Sequence, residues 1–273
     1  MLKALRVLSV SSMFIFSFGF HFGPVFAETV PAFKFYKEET SPKSSFAKAK
    51  DPLSTSGEKV QMFKLDPTKC VNGDCNANSA RAQMHEDVYT GRSKGKSGQP
   101  KEAWYSWEIY IPPDFPYGSK QARGGLQFTE FKHTNHCASV NLVHTSGYDD
   151  DDLYWRVTKY TGASPDLVAE ECKLVRQTRV ARLRDLVGRW TKFELFVRWS
   201  REGDGKMQLF VDGRKKVDFD GATCLEDCEK FNPFYYGIYL SNAPSRKLID
   251  DTYVLFKNVD RAASREELAV NKN

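Results

Sequence analysis

The sequence predicts an all-β protein, an antiparallel β-sandwich in a single domain. About ten short stretches alternate apolar with polar residues or are rich in aromatic residues, and Gly, Pro, Asp and Asn separate them. Phe, Tyr and Trp make up 14% of the 273 residues, which favours strands over a helical bundle. The turn signals Asp212-Gly213 and Gly203-Asp204-Gly205 are typical of hairpins between antiparallel strands.

The expected strands follow one another through residues 60–260 as one domain of the jelly-roll, concanavalin-like type. They are Val60–Leu65, Arg81–Tyr89, Ala103–Ile111, Gly125–Lys132, Ser139–His144, Leu153–Lys159, Trp190–Trp199, Lys206–Val211, Tyr235–Leu240 and Thr252–Val259. Residues 28–59 are rich in Ser, Lys, Pro and Thr and predict an extended arm, with an edge strand near Phe33–Tyr36. Helical patterns occur at Asp166–Arg184 and Arg261–Val270, the second within a tail of residues 261–273.

Residues 1–27 have the pattern of a secretory signal peptide. Lys3 and Arg6 precede an apolar run from Val7 to Phe20, and a small-residue cleavage site ends at Ala27. A membrane anchor would need about 20 uninterrupted apolar residues, and this run is shorter and contains serines. We therefore expect a secreted or periplasmic monomer with no membrane partner after cleavage. Its net charge falls from +5 to +3 when the segment is removed, which is too mild to predict nucleic-acid binding.

All six cysteines lie after the predicted signal peptide, where an oxidising compartment favours disulfides. Two pairs are close in sequence, Cys70 with Cys75 and Cys224 with Cys228, which leaves Cys137 and Cys172 to pair with each other. The alternative is a zinc site at Cys224 and Cys228, but no second ligand pair with suitable spacing accompanies it.

Three expected strands carry polar residues at alternate positions, which places those residues on one face. In residues 81–85 they are Arg81, Gln83 and His85. In residues 235–241 they are Tyr235, Tyr239 and Ser241, which share a face with Gly237. In residues 127–133 two sets remain open: Gln127, Thr129 and His133, or Glu130 and Lys132.

Together these strands resemble those of jelly-roll polysaccharide lyases. Residues 81–85 resemble their Arg-Ser/Thr-Glu-Leu-Arg strand, residues 235–239 resemble their Tyr-Phe-Lys-x-Gly-x-Tyr strand, and residues 130–132 lie where those families carry Gln-x-His. Further matches are residues 104–112, 189–195, 205–213 and 250–259. Over about residues 60–260 the pattern is similar to the heparin lyase I-like family, which is related to glucuronan and alginate lyases.

The resemblance implies β-elimination at a uronic acid of an acidic polysaccharide, without a required cofactor. Charge that develops as the C5 proton leaves is dispersed by donors on the sugar carboxylate, a base takes the proton, and an acid protonates O4. Tyr239 matches the family's catalytic tyrosine, an acid and in some members also the base. Arg81 and Gln83 would neutralise the carboxylate. His85, Lys132 and His133 would assist. The substrate-binding candidates are Gln83, Gln127, Glu130, Tyr235, Trp104, Tyr154 and Arg156.

Several positions depart from the family pattern. Tyr235 replaces its Lys, Gln83 its Glu and His85 its second Arg, and a Glu130 facing the groove would repel a uronate. The changes imply an altered substrate preference or a lost activity. The alternative function is therefore a non-catalytic carbohydrate-binding protein on the same fold, with an aromatic platform for sugar rings. The platform residues would be Trp104, Tyr154, Trp155, Tyr235 and Tyr239.

Charged residues suggest three further roles. By the same resemblance, a structural calcium would bind Asp250 and Asp251, and the run 148–152 is either a second calcium candidate or a solvated acidic loop. A glycoside hydrolase would need two carboxylates across a groove, for which Glu108 and Glu194 are weak candidates. The arginines at positions 176, 179, 182, 184 and 189 form either a surface for an acidic polymer or the solvated face of a helix.

Overall fold

In the computed structural model the chain forms two seven-stranded antiparallel sheets packed face to face. The structure describes residues 35–37, 42, 45–66, 68–71, 73–76, 79–86, 100–116, 125–132, 138–144, 151–160, 172–223, 233–240 and 251–270. The predicted signal peptide lies outside these residues, so export stays a prediction. No helix within the described ranges is long and apolar enough to cross a bilayer.

The strands are β1 (Phe35–Lys37), β2 (Phe46–Lys50), β3 (Lys59–Leu65), β4 (Ala80–Glu86), β5 (Glu102–Tyr110), β6 (Leu126–Lys132), β7 (Ala138–His144), β8 (Asp152–Tyr160), β9 (Cys172–Arg182), β10 (Trp190–Arg198), β11 (Lys206–Val211), β12 (Arg214–Asp220), β13 (Phe234–Leu240) and β14 (Thr252–Ala262). The front sheet has the strand order β1-β4-β13-β6-β7-β8-β9, and the back sheet has the order β12-β11-β10-β5-β14-β3-β2. Two short helices, α1 (Gly73–Asn76) and α2 (Arg265–Val270), complete the described elements together with a 3₁₀ turn at Leu183–Leu186.

The predicted sandwich is confirmed, and one predicted element is wrong. The helix expected at Asp166–Arg184 is, in its described part, the strand β9 followed by the 3₁₀ turn. Its backbone pairs with β8 from Asp152 to Tyr160, and this pairing outweighs the local helical pattern. The strand lies at the sheet edge, and two consecutive apolar residues, Leu174 and Val175, are exposed. Its sequence therefore lacks the regular alternation of apolar and polar residues that predicts a strand. The strands β2 and β12 were not predicted at all.

Aromatic rings fill the space between the sheets. Trp107 of β5 stacks on Phe193 of β10, with ring centroids 5.5 Å apart. From the front sheet, Phe131 meets Tyr105 and Phe234 edge-on or tilted, each at 5.0 Å. All five side chains are fully buried. Burial of each such side chain contributes about 1.5–3 kcal/mol to the free energy of folding. The packing of these rings therefore holds the two sheets against each other.

A buried ion pair also joins the sheets. Glu86 ends β4 in the front sheet, Arg261 lies near the end of β14 in the back sheet, and their side chains are 1% and 0% exposed. Arg261 donates a hydrogen bond to Glu86, and its guanidinium carbon lies 6.0 Å from the centre of the Tyr105 ring. Because either charge would be costly to bury alone, each side chain depends on the other.

Arg261→Met should lower the free energy of unfolding by about 3–5 kcal/mol, because Glu86 is then buried without its cation. A double variant, Glu86→Leu with Arg261→Met, should recover most of that loss because no charge is left in the interior. Urea unfolding of both variants measures the difference. A double variant less stable than the single one would contradict this account of the pair.

Candidate active site

The strand β4 separates polar from apolar side chains by simple alternation. Ala82 is fully buried and Met84 packs against the core between the sheets. Arg81, Gln83 and His85 therefore point away from that core, onto the outer face of the front sheet. The predicted sharing of one face by these three residues is confirmed.

The neighbouring strand β13 continues the same face. Tyr239 pairs with Arg81 and Tyr235 pairs with His85, and residues paired across antiparallel strands share a face. Tyr236 is held on the opposite face, where its ring meets those of Phe63 and Phe256 at 5.2 and 5.3 Å. Because Tyr236 is fixed in the core, its neighbours along the strand must face outward.

At Gly237, β13 passes close to the backbone of β4. Gly237 pairs with Gln83, has φ of +135°, and a Cβ there would lie 2.2 Å from the Ala82 carbonyl oxygen. Gln83 also reaches over β13 to the next strand, β6, where its Nε2 donates to Glu130 Oε1 at 3.3 Å. Both residues are buried, and Gln83 Oε1 has no partner among the described residues.

A bulge in β6 resolves the alternation that the sequence left open. The pairing of β6 with both of its neighbours shifts between Gln127 and Thr129. Gln127 pairs with Tyr239 and Glu130 pairs with Tyr235, so both lie on the outer face together with Lys132. Thr129 pairs with core-facing Tyr236 and is fully buried. The outer set therefore combines residues from both predicted alternatives.

Polar residues continue across β7 and β8. Asn141 pairs with Glu130 and donates to Gln127 Oε1 at 3.1 Å. Arg156 pairs with Asn141, and Tyr154 lies two residues before Arg156. We call this surface the polar face. It consists of Arg81, Gln83, His85, Gln127, Glu130, Lys132, Asn141, Tyr154, Arg156, Tyr235 and Tyr239.

Tyr239 has close partners on two sides. Its hydroxyl donates to Ser79 Oγ at 3.2 Å, and the Arg81 guanidinium lies over its ring, 4.5 Å from the centroid. Burial raises the pKa of Tyr239; the hydrogen bond to Ser79 and the charge of Arg81 oppose that rise without cancelling it, and the negative charges of Glu130 and Asp74 add to it. Tyr239 is thus a largely neutral phenol beside a cation that stabilises its ionised form.

Arg81 is itself held by a carboxylate. Its Nε and Nη2 donate to the two carboxylate oxygens of Asp74, both at 2.6 Å. Burial alone would lower the pKa of Arg81, but the hydrogen bonds and charge of Asp74 outweigh it and raise that pKa above the ordinary arginine value. The guanidinium is therefore a permanent cation in a fixed plane, and among the described residues its bonds to Asp74 use Nε and Nη2.

At the other end of the same strands, His85 stacks on Tyr235. The ring centroids are 4.7 Å apart and the planes differ by 16°. His85 Nδ1 lies 3.2 Å from the Glu86 carbonyl oxygen, which can only accept, so Nδ1 carries the proton in this contact. His85 and Arg81 are four residues apart on an extended strand, or roughly 13 Å. His85 thus belongs to a different part of the polar face from Tyr239.

Some predicted site residues are not brought to the polar face. Trp104 lies on β5 of the back sheet, beside Phe196 at 5.4 Å and Arg265 at 5.7 Å. His133 and Asp250 lie outside the described residues. Asp251 is exposed and lies 3.8 Å from the Lys64 amine, and no group of three or more acidic, His or Cys residues in the described ranges is arranged to hold a metal.

The carboxylates considered for hydrolysis also lie on the back sheet. Glu194 is held by Lys192 and Arg265, and Glu108 accepts a hydrogen bond from Asn258. Their strands β10 and β5 are neighbours in one sheet, so the two residues do not face each other across a groove. The arginines of β9 lie on a strand, so the helix-face interpretation of residues 176–182 is wrong.

The disulfide between Cys70 and Cys75 is confirmed. Cys137, Cys224 and Cys228 lie outside the described residues and the side chain of Cys172 is not described, so their pairings stay predictions.

Three residues at the site were not predicted from the sequence: Asp74, Ser79 and Asn141. Asp74 stands inside the predicted disulfide loop, seven residues before Arg81, which is a signal that the sequence contained. Asn141 alternates with core-facing Val140 and Leu142 on β7.

Comparisons with known proteins agree with the fold. The family model described as "Polysaccharide lyase" matches residues 32–259. The endo-β-1,4-glucuronan lyase from the fungus Trichoderma reesei is similar in structure, with a TM-score of 0.60 and 13% identity over 84% of this chain and 90% of that one. The alginate lyase from Klebsiella pneumoniae is similar with a TM-score of 0.52 and 11% identity over 85% and 87%. No curated protein sequence matches the chain.

Gly237→Ala should lower the free energy of unfolding by about 1–3 kcal/mol more than Gly213→Ala, because only the first places a Cβ against backbone. Both glycines have positive φ, but the +135° of Gly237 lies farther from the left-handed α region than the +75° of Gly213, so the expected difference includes backbone strain as well as the Cβ contact. Denaturant unfolding of the two variants gives the comparison. Equal losses would mean that the close approach at Gly237 is easily relieved.

Proposed function

The chain belongs to the polysaccharide lyase family, and from this premise we propose that it cleaves a uronate-containing anionic polysaccharide by β-elimination at the polar face. The observation that carries the proposal is the placement of Tyr239 between Ser79 and Arg81 on that face. The two solved structures compared above are lyases of glucuronan and alginate, which are uronate polymers. The finer proposal, closeness to the heparin lyase I-like group, rests on the sequence motifs over about residues 60–260, above all those of residues 81–85 and 235–241.

The proposed reaction has one proton carrier. The Tyr239 phenolate takes the C5 proton of the uronate, the C4–O4 bond breaks as a C4–C5 double bond forms, and the phenol returns the proton to the departing O4. Arg81 stabilises the phenolate through its charge. His85 is about 13 Å away along the strands, so we assign it to binding a neighbouring part of the polymer.

The remaining residues of the polar face fit a substrate with both carboxylates and hydroxyls. Lys132, two residues after Glu130 on β6, and Arg156, on β8, supply cations beside a central region that contains buried Gln83 and Glu130. Gln127 and Asn141 are only partly buried, and their amide groups can form hydrogen bonds with sugar hydroxyls. Calcium at Asp250 and Asp251, and export as a monomer, remain proposals that follow from the sequence.

Tyr239→Phe should reduce the rate of product formation by at least about 10³-fold, because it removes the group that carries the proton. The assay follows the ultraviolet absorbance of the unsaturated product with polyglucuronate, alginate and heparin as substrates. Tyr253→Phe is the matched control, since Tyr253 lies on β14 of the back sheet. A fully active Tyr239→Phe variant would overturn the assignment. Tight binding of a polymer with no absorbance change, even in the unaltered protein, would support the carbohydrate-binding alternative.

The pH dependence should report the ionisation of Tyr239. Because burial raises its pKa, the phenolate is scarce near pH 7, and kcat should rise by about tenfold per pH unit between about pH 7 and 9. The charged groups that act on this ionisation are Arg81, which favours it, and Glu130 and Asp74, which oppose it. A profile that is flat over the same interval would mean that Tyr239 acts only as the acid and that another group is the base.

A further inference from the structure

We propose that the disulfide-closed loop of residues 70–75 positions the catalytic tyrosine, with Asp74 as the residue that holds Arg81 over the Tyr239 ring. This inference rests on the proposed role of Tyr239 and extends it to residues that do not touch the reacting atoms. Asp74 is a positioning residue in this account.

Asp74 and Arg81 form a bidentate, largely buried ion pair. Both oxygens of Asp74 accept from Arg81, which fixes the plane of the guanidinium as well as its position. The side chains are 6% and 12% exposed, so water competes little with these bonds. The same guanidinium carbon lies 4.5 Å from the centre of the Tyr239 ring. A cation held this close to the ring is placed to stabilise negative charge on the phenol oxygen.

A second contact runs from the same loop residue to the hydroxyl of the tyrosine. The Asp74 carbonyl accepts a hydrogen bond from the Ser79 amide at 2.8 Å, and Ser79 Oγ accepts from the Tyr239 hydroxyl at 3.2 Å. Asp74 is thus connected to the ring of Tyr239 through Arg81 and to its hydroxyl through Ser79. One residue therefore constrains both ends of the catalytic side chain.

The disulfide explains how so short an element holds this place. The helix α1 has four residues, too few to be stable without tertiary support, and Asp74 and Cys75 both lie in it. The bond from Cys75 to Cys70 closes the chain around Asp74. The bond therefore limits the movement of Asp74. Loss of the disulfide should change the pKa of Tyr239 in the same direction as loss of the Asp74 carboxylate.

Asp74→Asn distinguishes a positioning role of Asp74 from a simple charge effect, because the two predict opposite changes in kcat at pH 7. The negative charge of Asp74 opposes ionisation of Tyr239, so if charge were its whole role, the variant would ionise more easily and kcat at pH 7 would rise. If Asp74 holds Arg81 in place, the variant loses the cation above the ring. We then expect kcat to fall by at least about tenfold, KM to change by less than about threefold, and the rise of kcat with pH to extend to more alkaline pH.

A spectroscopic titration measures the same effect without any substrate. The difference in ultraviolet absorbance between the protein and its Tyr239→Phe variant gives the pKa of Tyr239, and we expect this pKa to be higher when Asp74→Asn is present. The double variant Cys70→Ser with Cys75→Ser should also raise the pKa of Tyr239. With Asp74→Glu, which keeps the carboxylate, the pKa should rise less than with Asp74→Asn. Asp66→Asn is the matched control, because Asp66 pairs with Lys69 just outside the disulfide ring.

The outcomes separate this inference from the proposed function. An unchanged or lower pKa of Tyr239 in the Asp74→Asn variant, with kcat unchanged or higher, overturns the positioning role while the lyase assignment stands. A protein that degrades no polymer overturns the proposed lyase activity, and the titration still decides whether Asp74 positions the tyrosine. Equal effects of Asp66→Asn and Asp74→Asn would mean that a general disturbance of the segment causes the change, which also overturns the inference.

Discussion

The packing of Tyr236 between the two sheets is the interaction on which the rest of the site depends. Its ring contacts Phe63 and Phe256 of the back sheet, and its hydroxyl donates to Gln61 Oε1 at 2.9 Å, so the side chain is held by apolar and polar contacts together. Once Tyr236 is in the core, the alternation of a strand directs Tyr235 and Tyr239 outward. A shift of one residue in β13 would bury the predicted proton carrier and expose an apolar face, so the core enforces the orientation of the site.

Around this strand, the outer face is organised by pairs rather than by isolated charges. Asp74 holds Arg81, Glu130 accepts from Gln83, and Asn141 donates to Gln127. Each pair reduces the number of side-chain conformations available before a substrate arrives, which lowers the ordering cost at the moment of binding. The pair of Gln83 and Glu130 forms across the intervening strand β13, where Gly237 pairs with Gln83.

The sequence predicts those features of the fold and site that depend on the alternation of polar and apolar residues or on short spacings along the chain. The sandwich, the outward side of β4 and β13, and the Cys70–Cys75 bond follow from local pattern and spacing. The bulge in β6 does not follow from the local pattern. An extra residue in a strand only makes the alternation of polar and apolar residues ambiguous, and it does not show where the bulge lies. The sequence of β9 has a helical pattern, and its formation as an edge strand depends on pairing with β8, which the local sequence does not reveal. Trp104 was expected at the site because a tryptophan on a β-sandwich suits sugar stacking, but which sheet carries it is a property of the topology.

Chemical identification of the product from a polyglucuronate or alginate digest tests the central claim most directly. β-Elimination at a uronate produces a new chain end with a C4–C5 double bond, one water lighter than the end that hydrolysis would produce. Mass spectrometry of the oligosaccharides distinguishes the two. The account predicts unsaturated ends that form with the unaltered protein and not with the variant Tyr239→Phe. Saturated ends, or unsaturated ends in equal amount from both proteins, would contradict it.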